Sequence, residues 1–208
     1  DNYPRTGPKV FAGEYAAHAQ AKNRPDRPNN WEAALAEAAF MTGLERNADV
    51  VLMASYAPLF AHVEAWQWSP NLIWFDNLRS FGTPSYYVQK LFSANRGTRL
   101  LPAKVEGSGE VKDLYISASF DAKSNEVILK VVNTAATART MNVNLAGAAK
   151  VGAEARALTL ASHDLAVENS LNEPTKLAPV ELRVNLAGSR LPYQFVAHSL
   201  TVLRVPCQ

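Results

Sequence analysis

Over the first half of the chain the apolar positions follow two different periods. Lys9 to Tyr15 (KVFAGEY) and Val50 to Tyr56 (VVLMASY) read as strands, the second a nearly continuous apolar run of the kind buried on both faces. Between them Trp31, Leu35, Ala38 and Thr42 recur at helical spacing. Asn29 with Glu32 three positions later has the form of a capping box, and Asn47 offers a left-handed stop. Strand, helix, strand is a βαβ unit, whose two strands run parallel. A further helix is predicted from Thr83-Pro84, an N-cap followed by Pro in the first turn, through SYYVQKLFSA to about Asn95-Arg96-Gly97.

Two parallel strands with two helices cannot cover both faces of a sheet, because parallel sheets persist within wider open sheets or closed barrels. The pattern therefore reads as the last two βα repeats of a (β/α)8 TIM barrel whose N-terminal part lies outside this chain. The other reading is a small open α/β domain complete in itself.

After Leu101-Pro102 the pattern changes. Segments 113–120, 125–133, 139–146, 151–161, 179–187 and 192–205 alternate apolar with polar residues or are rich in Val, Leu and Thr, and turn-formers such as Lys123-Ser124-Asn125 separate them. Strands of that spacing predict an antiparallel, jelly-roll-like β-sandwich. Its longest interruption, His163 to Leu177, is expected to be an ordered loop crossing one end of the sheets. The fold class is thus α/β followed by all-β, with residues 1–102 as the barrel portion and 103–208 as the sandwich.

Composition narrows the function. The 208 residues are 48% hydrophobic and 19% charged, with a formal net charge of +2. The charge is even: ten Lys/Arg against nine Asp/Glu up to Pro102, eleven against ten beyond it. Neither nucleic acid nor an acidic membrane is called for as a partner. No apolar run approaches the roughly 18 residues of a membrane helix. Cys207 is the one cysteine, which excludes an internal disulfide. The chain starts at Asp1 with no basic region leading into an apolar stretch, so targeting is not read from it.

Candidate chemistry concentrates at the strand ends. Barrel enzymes work at the C-terminal ends of their strands, and Glu14 lies at such an end. Gly13 before it permits close approach, and the Tyr15 hydroxyl after it is within reach of a carboxylate. A carboxylate there serves equally as a solvated or arginine-paired strand terminus. Trp66, Trp68 and Trp74 crowd into AWQWSPNLIW after the second strand, with Gln67, Asn71 and Asn77 interspersed. Flat apolar faces with amides between them suit sugar rings. Trp74, flanked by Ile73 and Phe75, is expected to be packing, whereas Trp66 and Trp68 are expected to face a ligand. His18, His62, His163 and His198 show no metal-ligand spacing with each other or with Cys207, so no metal is predicted; His62 and Glu64 read as structural or solvated. Glu106, Gly107 and Gly109 form no phosphate loop, and no cofactor is predicted.

Taken together and in order, KVFAGEYAAH, NNWEAALAEAAFMTGLERNADVVLMASYAPLF, WQWSPNLIWFDN, TPSYYVQKLFSANRGTRLLP, ENSLNEP and HSLTVLRV resemble the C-terminal portion of the α-L-arabinofuranosidases of glycoside hydrolase family 51. The resemblance implies a retaining glycosidase that removes terminal α-L-arabinofuranosyl units from arabinoxylan, arabinan or related oligosaccharides. It implies that Glu14 is the nucleophile. The family's acid/base Glu follows an Asn on an earlier strand; Asn125-Glu126 and Asn172-Glu173 lie in the sandwich half and do not match it, so that residue is expected upstream and the chain alone is expected to be inactive. Tyr56, Trp68, Asn71 and His18 are the substrate-contact candidates. A secreted protein, extracellular or periplasmic, is expected, and the oligomeric state is left open. Rival readings are another retaining barrel glycosidase, β-xylosidase-like, and a non-catalytic carbohydrate-binding module built on the sandwich.

Overall fold

The computed structural model describes residues 2–18, 30–106 and 112–207. The chain divides into two compact units, Asp1–Lys90 with Asp164–Ala178, and Leu91–His163 with Pro179–Gln208.

The first unit opens with β1 (Val10–Tyr15), α1 (Trp31–Arg46) and β2 (Val51–Tyr56). β1 and β2 pair in parallel, as the βαβ pattern requires. The helix forms where the apolar spacing places it: Trp31, Leu35, Ala38 and Thr42 are all buried. Its cap is Asn30 and not Asn29, which lies outside the described residues. Asn30 is extended (φ −85°, ψ 178°), and its side chain accepts from the Ala33 N–H at 3.0 Å. The first two helical N–H groups, Trp31 and Glu32, donate to Val167 and Leu165 carbonyls at 3.0 and 2.9 Å, so a distant segment satisfies donors that a helix leaves open. At the other end Asn47 is not left-handed (φ −105°); it closes the helix through its side-chain amide, which donates to the Gly43 carbonyl at 2.7 Å.

The expectation that the second strand is buried on both faces is corrected. Leu52 and Met53 are 62% and 59% exposed, and Phe11 on β1 is 56% exposed. The physical reason is that β1 and β2 form a sheet of two strands, and nothing described covers their apolar faces. The segment after β2, which carries the tryptophans, holds β3 (Phe60–His62), β4 (Ile73–Phe75) and β5 (Ser80–Gly82) in a small mixed sheet. These strands are too short for any period to show in sequence. α2 (Pro84–Ala94) then begins as predicted, with the Thr83 hydroxyl accepting from the Tyr86 N–H at 3.3 Å. The division between the units falls inside this helix.

The second unit is a sandwich of two antiparallel sheets. It contains β6 (Arg99–Leu101), β7 (Leu114–Asp121), β8 (Glu126–Asn133), β9 (Arg139–Asn144), β10 (Glu154–Ala161), β11 (Val180–Asn185), β12 (Arg190–Phe195) and β13 (Ser199–Pro206). The larger sheet has the order β11-β10-β13-β8-β7-β6 and the smaller pairs β12 with β9. Val131, Ala157, Leu203 and Val205 of the first pack with Leu191 and Phe195 of the second in one core. The strand predicted over 192–205 is two strands. Between them Asn133 donates its side-chain amide to the carbonyls of Phe195 and Val196 at 3.1 and 2.9 Å, and His198 takes a positive φ of 44°. The chain changes sheets at that point. The strand predicted from 151 starts at Glu154.

Among the described residues, two cations are buried in this unit. Lys130 donates to the Asn95 carbonyl at 2.8 Å, with its ammonium 5.2 Å from the Phe92 ring centre. Arg204 donates through Nε to Glu126 at 2.8 Å and through Nη1 to the Asn95 side chain at 3.1 Å. Each buried charge therefore has the partners that burial demands.

Candidate functional site

The C-terminal ends of β1 and β2 hold the residues of greatest chemical interest. Ala12 pairs with Ala54 and Tyr15 with Tyr56, so Gly13 and Glu14 together oppose the single residue Ser55. This is a bulge, a device that turns a side chain out of the regular alternation and recurs beside active sites. The Ser55 hydroxyl donates to the Gly13 carbonyl and fixes the bulged backbone. Glu14, in the bulge, is exposed.

The residues around it are tied in place. The Tyr15 hydroxyl donates to the Gln89 side chain at 2.8 Å, so it serves α2 and not the neighbouring carboxylate. Its ring packs at a tilt against Phe40 and edge-on against Tyr56 at 5.9 Å. Burial, with the nearby Glu37 adding to it against the Gln89 hydrogen bond, raises the Tyr15 phenol above its ordinary value. Tyr56 is buried at the end of β2, directly across from Tyr15. His18, beyond the end of β1, is exposed.

The loop after β2 brings the aromatic cluster back to this end. Leu72 and Ile73 N–H groups donate to the Pro58 and Leu59 carbonyls at 3.1 and 2.9 Å, which returns the segment carrying Trp68 and Asn71 to the start of the loop. Asn71 is buried and donates its amide to the Trp68 carbonyl. Trp68 is 71% exposed and Trp66 is 40% exposed, whereas Trp74 is buried, as its flanks predicted. Trp66 and Trp74 meet edge-on at 6.0 Å. Val63, Trp66, Trp74 and Phe81 form one wall of an open cleft of ≈ 390 Å³ whose other wall is residues 168–172. Asn169 secures that second wall by donating to the Gly82 and Leu177 carbonyls at 2.9 and 3.0 Å.

Sequence reasoning missed one residue of this region. Glu37 is 2% exposed, and its Oε1 accepts from the Ala17 N–H at 2.9 Å. Burial raises its carboxyl to about 7, although the Ala17 N–H and the hydroxyls of Ser85 and Tyr56, which face it, pull it back. The signal was present: Glu37 stands one helical turn after Ala33 on the buried stripe of α1, where an acidic residue is out of place. Among the described residues no three His, Cys, Asp or Glu side chains come together as a metal-binding group.

The profile of the α-L-arabinofuranosidase C-terminal domain family matches residues 13–199. An extracellular exo-α-L-arabinofuranosidase of Streptomyces chartreusis is 51% identical over 111 residues, covering 53% of this chain and 12% of the relative. α-L-Arabinofuranosidase 2 of Arabidopsis thaliana is 40% identical over 186 residues, covering 87% of this chain and 26% of the relative. An arabinose-bound family 51 α-L-arabinofuranosidase superposes with a TM-score of 0.89 at 29% identity, over 100% of this chain and 34% of its own. The Thermotoga maritima enzyme in its arabinose complex shares the fold, with a TM-score of 0.79 at 17% identity over 94% of this chain and 42% of its own. This chain thus spans less than a third of the length of these curated relatives. The match over most of its residues shows that the chain belongs to the α-L-arabinofuranosidases of glycoside hydrolase family 51, as their C-terminal portion.

Proposed function

We propose that the chain supplies the nucleophile and part of the sugar pocket of a retaining α-L-arabinofuranosidase acting on arabinose-containing polysaccharides or oligosaccharides. The observation that carries this reading is Glu14, turned out of a parallel strand by a bulge at its C-terminal end and exposed there. Barrel glycosidases place their carboxylates at such ends. The family membership and the arabinose bound in two structural neighbours support the substrate class.

On this reading residues 1–102 are the end of a (β/α)8 barrel and residues 103–208 the supporting sandwich, with residues 164–178 returning to the barrel portion. The exposed apolar faces of β1 and β2 then belong against further barrel strands of a longer protein. A Glu14 carboxylate oxygen attacks the anomeric carbon while the bond to the leaving oxygen breaks; a second carboxyl, outside this chain and about 5–5.5 Å away, protonates that oxygen. The same group then takes a proton from water, whose oxygen attacks the anomeric carbon, releasing arabinose and restoring Glu14. The exposed Trp68 and His18 line the sugar's approach; Tyr56 and Asn71, also expected to touch the sugar, are buried, and Asn71 instead donates its amide to the Trp68 carbonyl. The Streptomyces relative is named as extracellular, which supports secretion here.

The test uses the full-length parent enzyme and an aryl α-L-arabinofuranoside. Glu14→Ala should lower kcat by several orders of magnitude, and azide should restore aryl release with a glycosyl azide of inverted configuration. Near-parental turnover by Glu14→Ala would overturn the assignment.

A further inference from the structure

We propose that Glu37 is a positioning residue for Glu14: it ties the turn leaving β1 to the ends of β2 and α2 and so holds the bulge that presents Glu14. The inference rests on the retaining-glycosidase reading above. Two structural facts carry it. Glu37 Oε1 accepts from Ala17, three residues beyond Glu14, so the carboxyl grips the backbone just after the bulge. The hydroxyls of Tyr56, last residue of β2, and Ser85, in the first turn of α2, face the same carboxyl. One side chain thereby joins β1, β2 and both helices at the end of the sheet where Glu14 lies.

An ordinary structural role accounts less well for this arrangement. Glu37 is 2% exposed in a stripe otherwise of Trp, Ala, Leu and Thr, where an alanine or leucine would pack without desolvating a carboxyl. Its Oε2 makes no hydrogen bond among the described residues, so what the carboxyl contributes is concentrated on its other contacts, the Ala17 N–H first. The contact it does make restrains the one piece of backbone whose direction matters to a nucleophile at the end of β1. Small displacements of such a group reduce turnover without greatly changing substrate affinity. With burial raising the carboxyl to about 7, the neutral acid is populated around neutrality, and glutamine reproduces its shape and its acceptor.

The experiment compares Glu37→Asp and Glu37→Gln in the full-length enzyme. Aspartate keeps the acid but withdraws it by one methylene from Ala17; glutamine keeps the reach and removes the acid. Glu37→Asp is expected to lower kcat by 10- to 100-fold with KM within threefold, and Glu37→Gln to stay within fivefold of the parent. Hydrogen exchange at Ala17, followed in the full-length enzyme, should quicken in Glu37→Asp and not in Glu37→Gln. A Glu37→Asp enzyme with parental kcat overturns the proposal, as does a loss confined to thermal stability. A Glu37→Gln enzyme as impaired as Glu37→Asp also overturns it, because reach would then not be what matters. If either variant fails to accumulate, exchange at Ala17 in the other decides: parental protection in Glu37→Asp, or lost protection in Glu37→Gln, refutes the tether. A parent with no arabinofuranosidase activity refutes the functional reading itself, a result distinct from all of these.

Discussion

Two carboxylates respond to pH in opposite senses, and each yields a stability prediction. Glu37 titrates near 7 in the folded chain against an ordinary 4.5. Between those values the folded state holds more protons than the unfolded one, so stability falls as pH rises through that window and is unaffected below it. A gap of about 2.5 units corresponds to on the order of 3 kcal/mol. Tyr15, the phenol that shares this environment, stays uncharged throughout. Urea melts at pH 5 and pH 8 should therefore show the parent chain losing stability and Glu37→Gln losing much less. Glu126 behaves the other way. Burial raises its carboxyl, but hydrogen bonds from Arg204 and Ser124 and the attraction of Arg204 and Arg156 outweigh it, and the net shift is downward. Its contribution is present above the ordinary carboxylate value and lost as pH falls below it. Glu126→Ala would leave the Arg204 guanidinium, 9% exposed, without its main partner and should cost roughly 3–5 kcal/mol. Equal melts for Glu126→Ala and the parent at neutral pH would remove that buried pair from the list of stabilising contacts.

At the scale of elements, chain ends and close approaches are the sensitive points. Asn30→Ala removes the acceptor of the Ala33 N–H and should lower stability by about 1 kcal/mol, measured by chemical denaturation. Gly97, between α2 and β6, tolerates no side chain: a Cβ there would lie 2.5 Å from the Ser119 Cβ and 2.9 Å from the Phe120 carbonyl oxygen. Because one obstacle is strand backbone, Gly97→Ala should cost roughly 1–3 kcal/mol, the range of overpacked sites. An unchanged melting temperature would mean that β7 moves aside. Long elements were legible beforehand. α1 carries its stripe over sixteen residues, β7 and β10 largely alternate over eight each, and β8 is rich in Val, Ile and Leu. β3 to β6 have three residues each, fewer than one clear repeat of any pattern, and were not legible. The break between β12 and β13 was hidden for another reason: apolar residues continue across it, and the Asn133 side chain that pins it comes from a distant strand.

For the whole molecule, Phe11, Leu52 and Met53 on the two-stranded sheet leave a large apolar surface facing water. Surfaces of that kind bind apolar dyes or draw chains together. The 208-residue chain in isolation should enhance anilinonaphthalene sulfonate fluorescence and show no turnover of an aryl α-L-arabinofuranoside, while the full-length enzyme does the reverse on both counts. Turnover by the isolated chain would show that its own carboxylates suffice and would sink the division of catalytic labour proposed above.

The sequence by itself determined the strand-helix-strand order, the switch to antiparallel strands, and the placing of Glu14 at a strand end, since each depends on periods and caps spanning a few neighbouring residues. It also singled out Trp66 and Trp68 as more exposed than Trp74, because the flanks of Trp74 are apolar. Tertiary structure alone decided that Glu14 sits in a bulge, that residues 164–178 join the first unit, and that Glu37 reaches Ala17. Those outcomes turn on which distant backbone groups meet. A bulge exists only against a partner strand, and the donors at the start of α1 found their acceptors more than a hundred residues away, at Leu165 and Val167. Local pattern carries no record of such meetings, because the free energy that selects them comes from contacts formed after the chain has folded back on itself.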